Sequence, residues 1–100
     1  MREYNAKVDA NQPEIVSELR AAGFLVIDAH SSLPFDLVVI GFGSPPWQDV
    51  TRVCLVEVKS PGGRLTAREA KFRDELQASG RDGVYLIATS AADVLRWFGR

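Results

Sequence analysis

The chain has one cysteine and one histidine among its 100 residues. A single cysteine, Cys54, excludes an internal disulfide and a zinc site built from thiolates. Because Cys54 lies in an apolar stretch, we predict that it is a small core residue and not a nucleophile. The lone histidine, His30, gives little support to histidine-based metal motifs or to a Ser-His-Asp triad.

The chain also lacks a long apolar run. Its longest uncharged stretch, residues 37–48, is too short to span a bilayer and is interrupted by Pro45-Pro46. Met1 to Tyr4 do not begin an apolar signal segment. We therefore expect a soluble protein of the cytoplasm that has no membrane partner.

No excess of positive charge marks the whole chain, whose formal net charge is −1. This argues against a generally basic, nucleic-acid-binding surface. Carboxylates gathered around a cation would, however, leave the remaining surface more positive than this sum. Five basic residues moreover fall in one short segment, namely Arg64, Arg68, Lys71, Arg73 and Arg81. The pattern predicts a local basic face.

One hundred residues, 46% of them hydrophobic, are enough for one core. We predict a single domain over residues 1–100, with residues 1–10 as a loosely ordered N-terminal arm. Asn11 and Pro13 predict the start of a helix that Gly23 ends. Strands are predicted at 24–27, 35–42, 52–59 and 84–88, a second helix at 66–79, and a short last helix after Ser90.

The predicted order of elements is α-β-β-β-α-β-α. The first three strands can form an antiparallel meander, and the helix before the fourth strand makes a crossover that sets this strand parallel to the third. The predicted fold class is α/β, with a mixed central sheet flanked by helices.

Three charged residues interrupt apolar, strand-like sequence: Asp36 in the second predicted strand, then Glu57 and Lys59 in the third. Alternation along a strand places Glu57 and Lys59 on the same face. Neighbouring strands would bring two carboxylates and an ammonium group together at the edge of a core. Burying charge is costly unless the charge is paired or bound to a metal, so the trio is a candidate site.

Asp36 followed by Glu57-Val58-Lys59, in this order of elements, resembles the PD-(D/E)xK nuclease superfamily. The chain is similar to its small phage and archaeal members of the Holliday-junction-resolvase-like and VRR-NUC types. The resemblance extends from residues 9–15 through residues 65–69 to the last strand. It differs in that Phe35 separates Pro34 from Asp36, whereas the superfamily's proline usually precedes the aspartate directly.

The resemblance implies a restriction-endonuclease-like α-β-β-β-α-β core and an endodeoxyribonuclease that depends on Mg²⁺, with Mn²⁺ as a substitute. Asp36 and Glu57 would hold the cation together with the carbonyl of Val58. Lys59 would orient or deprotonate the attacking water, or stabilise developing charge. The alternative is a structural pair of Glu57 and Lys59 on a solvated strand face, which the apolar flanks of both strands disfavour.

Two further glutamates have two interpretations each. Glu14 matches a first-helix glutamate that the superfamily often uses as an additional metal ligand, but Asn11-x-x-Glu14 is also a capping box. Glu69 lies in a second capping box, Thr66-x-x-Glu69, where related nucleases commonly have glutamine. Glu69 can alternatively accept a hydrogen bond from Lys59 and hold it in place, so we count both glutamates as candidate catalytic residues.

Candidate DNA contacts are Arg64, Arg68 and Lys71, which flank the predicted site, and the loop residues Ser31 and Ser32. A solvated helix face explains the three cations nearly as well, and serines in loops commonly form turns.

We therefore predict a structure-specific DNA endonuclease. Within that class we predict a Holliday junction resolvase that acts as a homodimer on four-way junctions. A twofold dimer would supply the paired cuts that a junction requires. The alternatives are a less selective nickase or flap nuclease of repair or phage replication, and a catalytically silent nucleic-acid-binding module.

Overall fold

A computed structural model describes residues 10–29, 32–46 and 48–100. The predicted N-terminal arm therefore falls almost entirely outside the described residues. The helices and strands are α1 (Gln12–Ala21), β1 (Leu25–Asp28), β2 (Leu37–Phe42), β3 (Thr51–Val58), α2 (Ala67–Ala78), β4 (Tyr85–Ala88) and α3 (Ala91–Trp97), with a 3₁₀ turn at Asp82–Val84 before β4. The fold class is α/β, as predicted.

The four strands form one mixed sheet in the order β1-β2-β3-β4. The pairs β1–β2 and β2–β3 are antiparallel, and β4 lies parallel to β3 after the crossover through α2. This arrangement confirms the predicted meander and crossover. β2 and β3 are the inner strands, and their register runs from Leu37 opposite Val56 to Phe42 opposite Thr51.

One face of the sheet packs on α1 and α3 and forms the core. Leu19 of α1, Val94 of α3 and Phe98 just after α3 meet alternate strand residues such as Val39 and Val56, and all five are buried. Alternation requires that the residues between these strand positions lie on the opposite face, which α2 covers only in part.

Cys54 belongs to this core, as predicted. It is fully buried, and burial raises the pKa of its thiol to about 12. A thiol with so high a pKa stays protonated near neutrality and is a poor nucleophile.

The helix termini follow the sequence signals with one exception. Gly23 takes a positive φ of 95° and ends α1, and the Thr66 hydroxyl and Glu69 form the predicted capping box of α2. The capping box predicted at Asn11 and Glu14 is wrong, because the Asn11 side chain makes no cap hydrogen bond. Asn11 has helical backbone angles, φ −84° and ψ −8°, whereas a capping side chain normally requires an extended backbone.

None of the helices formed by the described residues combines the length and apolar character that a membrane-spanning helix requires.

Candidate active site

The register of β2 and β3 places Asp36 opposite Glu57. Asp36 lies one residue before β2, and its backbone N–H donates to the carbonyl of Val56 at 2.9 Å, which extends the pairing by one step. Its side chain turns onto the same strand, where Oδ2 accepts a hydrogen bond of 2.8 Å from the backbone N–H of Val58. The two carboxyl groups therefore lie side by side on one face of the sheet.

Glu57 is more deeply buried than Asp36, with 2% of its surface exposed. Its Oε2 lies 3.2 Å from the Lys59 ammonium, whereas its Oε1 has no hydrogen-bond donor in the described part of the chain. Burial, and then the neighbouring Asp36 carboxylate, raise the pKa of Glu57 to about 9.

The capacity of a protonated Glu57 to donate a hydrogen bond to Asp36 adds to this rise. When Glu57 is protonated it can donate to Asp36, which favours the protonated Glu57 and the ionised Asp36. Burial nonetheless raises the pKa of Asp36 above its ordinary value. Burial and mutual repulsion thus disfavour two ionised carboxylates at this place, and a bound cation would remove that repulsion.

Lys59 bridges the sheet and α2. Its ammonium is 2.8 Å from Oε1 of Glu69 in addition to its contact with Glu57, and 14% of the Lys59 side chain is exposed. Burial opposes its charge, but the two carboxylates outweigh burial and raise the pKa of Lys59. The predicted support of Lys59 by Glu69 is present.

Glu69 performs both of the roles considered for it. Its Oε1 accepts a 2.8 Å hydrogen bond from the backbone N–H of Thr66 as well as the contact from Lys59. Burial raises its pKa, but the Lys59 and Thr66 bonds prevail, so the net shift is downward. The carboxylate that begins α2 is consequently ionised and fixes the ammonium over the sheet.

Tyr85 is a neighbour of the site that the sequence analysis missed. Its ring packs edge-on against Phe72 of α2 at 5.6 Å between centroids, and Phe72 in turn lies 5.7 Å from Phe35. The Tyr85 hydroxyl is buried without a partner in the described residues, and burial together with the charges of Glu57 and Glu69 raises its pKa to about 12. The only signal in the sequence was a hydroxyl within an otherwise aliphatic strand.

Asn11 is a second residue whose position the sequence did not indicate. Its Nδ2 donates to the carbonyl of Thr89 at 2.8 Å and to that of Lys59 at 3.2 Å. These bonds tie the start of α1 to the ends of β3 and β4. They depend on contacts 48 and 78 residues away, so local sequence carries no sign of them.

Glu14 lies on the exposed side of the first turn of α1. No hydrogen bond or ion pair among the described residues joins it to Asp36, Glu57 or Lys59. The Asn11 bonds bring the helix start to the site end of the sheet, so the helix that carries Glu14 begins near the trio. Its role as a metal ligand stays a prediction.

The fit to a divalent cation rests on two carboxyl groups. Within the described ranges, no group of three or more histidine, cysteine, aspartate or glutamate side chains is arranged to hold a metal. Mg²⁺ does not require such a cage, because it is commonly bound by one or two carboxylates while it keeps several waters. Oε1 of Glu57 lies beside Asp36 and has no hydrogen-bond donor among the described residues, so it is free to bind such an ion. Val58, whose carbonyl is the predicted third ligand, is buried at the same strand end.

The predicted DNA-contacting residues surround the start of α2. Arg64, Arg68 and Lys71 are exposed, and Arg68 donates a hydrogen bond to the backbone carbonyl of Ser32. This bond joins the loop after β1 to α2. Ser31 lies outside the described residues.

Comparison of the chain with protein-family models, with curated proteins and with solved structures gives no match.

Proposed function

We propose that this chain is a metal-dependent endonuclease that hydrolyses phosphodiester bonds in DNA. One observation carries the proposal: Glu57 is almost fully buried, its Oε1 has no hydrogen-bond donor among the described residues, and it lies opposite Asp36 and beside Lys59. A fold gains nothing from a buried carboxyl group beside a half-buried one, because the two oppose each other's ionisation. The arrangement is one that a bound cation would complete.

Asp36 and Glu57 would hold the cation, and the carbonyl of Val58 is the proposed additional ligand. A divalent ion at this position supplies a Lewis acid for the phosphate oxygens and lowers the pKa of a water molecule. The chain's own contribution is to fix the two carboxylates through the β2–β3 register and the Asp36–Val58 hydrogen bond.

Lys59 is proposed to stabilise negative charge on the phosphate. Two carboxylates hold its ammonium, so it is arranged as a hydrogen-bond donor and a fixed positive charge. Glu69 positions Lys59 through α2. Glu14, in the first turn of α1, is proposed as a further acidic residue that reaches the site when metal and DNA are bound.

DNA is the proposed substrate because exposed cations flank the site. Arg64, Arg68 and Lys71 surround the start of α2, where they can contact phosphates without reading sequence. The resemblance to small junction-resolving nucleases directs the proposal to branched DNA, with four-way junctions first, and to a cytoplasmic enzyme. A nickase or flap nuclease would use the same site on a different DNA shape.

The test is cleavage of synthetic four-way, flap, nicked and plain duplex DNA with Mg²⁺, Mn²⁺ or EDTA. We expect cutting of branched DNA that EDTA abolishes. Asp36→Asn should abolish cleavage and keep the fold, because an amide oxygen can still accept the Val58 hydrogen bond. Asp74→Asn, on the exposed side of α2, is the matched control and should cleave normally. Full cleavage by Asp36→Asn would refute the proposal.

A second measurement, of the unfolding temperature, detects metal binding independently of cleavage. Mg²⁺ or Mn²⁺ should raise the unfolding temperature of the wild type, because an ion that binds only the folded state stabilises it. Asp36→Asn and Glu57→Gln should lose this shift, and Asp74→Asn should keep it. An equal shift in all four proteins would place the metal elsewhere.

A catalytically silent nucleic-acid-binding module is the second candidate. It is favoured by the Lys59 ammonium, whose two ion pairs would hold α2 on the sheet whether or not a metal binds. Such a module would bind branched DNA in EDTA as well as in Mg²⁺ and would cut none of the four substrates.

A further inference from the structure

A cleft of about 460 Å³ lies between α1 and the edge strand β1. Four residues of α1 and two at the end of β1 line it: Gln12, Pro13, Val16, Arg20, Asp28 and Ala29. Gln12, Val16 and Arg20 are spaced four residues apart, so they share one face of the helix. The volume falls in the range of roughly 300 to 1,000 Å³ that is typical of small-molecule sites.

The cleft and the candidate active site lie on opposite faces of the sheet. Val26 belongs to the core under α1, and alternation along β1 places Asp28 on the same face as Val26. Val56 also belongs to this core, so the next residue of β3, Glu57, points to the other face. A ligand in the cleft would therefore occupy a site distinct from the one that Glu57 forms.

Gln12 gives the cleft a buried polar group. Only 7% of its surface is exposed, and its Oε1 has no hydrogen-bond donor among the described residues. Its Nε2 faces Oδ1 of Asp28 at 3.4 Å, which is long for an N–H···O hydrogen bond. An amide held so loosely can turn toward a ligand that offers its oxygen a donor, and a buried oxygen without a donor is costly. The position therefore favours a ligand that carries an N–H group.

The two ends of the cleft carry opposite charges. Arg20 donates to the carbonyl of Val26 at 2.9 Å, a bond that uses one of the five N–H donors of its guanidinium. Asp28 is two residues further along β1, which is about 7 Å along a strand. Within the described ranges, no ion pair joins Arg20 to Asp28. The cleft thus presents a cation to one end of a ligand and a carboxylate to the other.

These groups match a nucleotide whose base carries an exocyclic amino group. The Gln12 amide presents a donor and an acceptor side by side, the complement of an amino group next to a ring nitrogen, as in adenine and cytosine. The second N–H of that amino group would donate to the Asp28 carboxylate, which only accepts hydrogen bonds. The phosphate, at the other end of the nucleotide, would pair with Arg20. Pro13 and Val16 supply apolar surface for the base.

Other small ligands fit less well. The ammonium and carboxylate groups of a free α-amino acid are attached to one carbon atom, so they cannot reach Asp28 and Arg20 together over about 7 Å. Uracil and hypoxanthine have a carbonyl oxygen where cytosine and adenine have the amino group. That oxygen would face the Asp28 carboxylate with no hydrogen between them, so the site would reject these bases.

We propose that this cleft binds a nucleotide of adenine or cytosine, with the amino group on Gln12 and Asp28 and the phosphate on Arg20. The nucleotide is a free monophosphate or an unpaired nucleotide of DNA, and the same groups recognise it in both. Binding of the free monophosphate does not rest on the proposed nuclease activity, because the cleft shares no residue with the candidate active site.

The test is an NMR titration of the isotope-labelled full chain with nucleoside monophosphates in EDTA. EDTA removes the divalent ions through which a phosphate could bind at Asp36 and Glu57. We expect cytidine monophosphate to bind at least about tenfold more tightly than uridine monophosphate, and adenosine monophosphate at least about tenfold more tightly than inosine monophosphate. The side-chain amide signals of Gln12 should shift on binding. Equal affinity for the cytidine and uridine monophosphates would overturn the proposal.

Substitutions in the cleft test each contact. Gln12→Leu should lose binding and keep the fold, because it removes a buried amide whose oxygen has no donor in the described part of the chain. Asp28→Asn, at an exposed position, should erase the preference for cytosine over uracil, because an amide can also donate. Arg20→Gln should weaken cytidine monophosphate at least about fivefold and leave cytidine, which has no phosphate, unaffected.

Glu18→Gln, at an exposed position of the same helix, is the matched control and should bind like the wild type. Circular dichroism checks that each protein is folded. Binding of cytidine monophosphate that neither Gln12→Leu nor Arg20→Gln changes would overturn the proposal.

A DNA hairpin with one unpaired cytosine, compared in EDTA with the same hairpin carrying an unpaired thymine, distinguishes the two sources. A preference for cytosine that Asp28→Asn abolishes, without binding of the free monophosphates, assigns the cleft to a nucleotide of DNA. No such preference, together with no binding of the monophosphates at about 5 mM, would overturn the proposal. None of these measurements needs cleavage, so a failure here is distinguishable from a failure of the nuclease proposal.

Discussion

The carboxylate of Asp36 accepts its 2.8 Å hydrogen bond from the backbone N–H of Val58, 22 residues further along the chain. The bond fixes the Asp36 side chain against the end of β3, next to Glu57 and Lys59. One oxygen of Asp36 is engaged by the fold, and burial raises the pKa of both Asp36 and Glu57, so the pair favours a bound proton or cation. Structure and proposed chemistry therefore depend on the same two carboxyl groups.

Glu57 should make the metal-free protein less stable as pH rises. Its pKa is raised from an ordinary 4.5 to about 9 in the folded protein, so the folded state favours the protonated form. The unfolded chain releases this proton at lower pH, and the free energy of unfolding should fall as pH rises between these two values. Chemical denaturation in EDTA at several pH values between about 5 and 9 measures this slope.

Glu57→Gln should flatten that slope and stabilise the metal-free protein by about 1 to 3 kcal/mol at neutral pH, because glutamine stays neutral without the proton that the folded wild type must bind above the ordinary pKa of glutamate. The same variant should lose cleavage. Asp74→Asn, at an exposed position, should keep the wild-type slope. A Glu57→Gln protein that is less stable than the wild type would show that the Lys59 ion pair outweighs burial.

Glu14→Gln and Glu69→Gln should separate catalysis from helix capping. Glu14 is exposed and caps nothing, so its substitution should change the free energy of unfolding by less than about 0.5 kcal/mol. If Glu14 is a metal ligand, as proposed, most cleavage is lost. Glu69→Gln should cost about 0.5 to 1 kcal/mol, because Lys59 loses a partner, and should keep a substantial part of cleavage. Full cleavage by Glu14→Gln would remove Glu14 from the site.

The basic side chains around α2 should determine the affinity for DNA and should not affect the cleavage reaction. Arg64→Ala with Lys71→Ala should weaken binding to junctions of every sequence and reduce the slope of log K against log salt by about one to two. Arg68 is left unchanged because it also holds the Ser32 carbonyl. Arg96→Ala, on α3 across the sheet, is the control. Cleavage at saturating enzyme should survive, and an unchanged salt slope would contradict the assignment.

Tyr85→Phe should stabilise the protein by about 1 kcal/mol, because it removes a buried hydroxyl that has no hydrogen-bond partner in the described part of the chain. The ring contact with Phe72 is kept. Tyr85→Leu removes that contact and should instead destabilise the protein. Thermal unfolding compares the three proteins, and a Tyr85→Phe protein less stable than the wild type would show that the hydroxyl is hydrogen-bonded in solution.

The fold was predictable because local signals and periodicity agreed. Gly23, the Thr66 capping box and the short apolar runs of the strands each indicate their element without long-range information. The strand bounds differ by one or two residues, and Val84 lies in the 3₁₀ turn and not in β4. Such ends depend on hydrogen bonds to neighbouring strands, which sequence does not display.

The charged trio was predictable for a different reason. A charge inside an aliphatic strand is costly, so Asp36, Glu57 and Lys59 stood out one by one. The roles of Asn11 and Tyr85 were hidden because an asparagine before a helix and a tyrosine in a strand are ordinary in sequence. Only the meeting of α1, β3 and β4 gives Asn11 its two carbonyl partners.

The six residue pairs between β2 and β3 also determine which changes of chain length the site can tolerate. The residues that connect Phe42 to Thr51 lie at the opposite end of this ladder from Asp36 and Glu57, so insertions there would leave both carboxyl groups in place. A slip of one residue within the ladder would turn every side chain of a strand to the other face. Glu57 would then enter the aliphatic layer under α1 and α3, so the site is protected from misalignment by the cost of that burial.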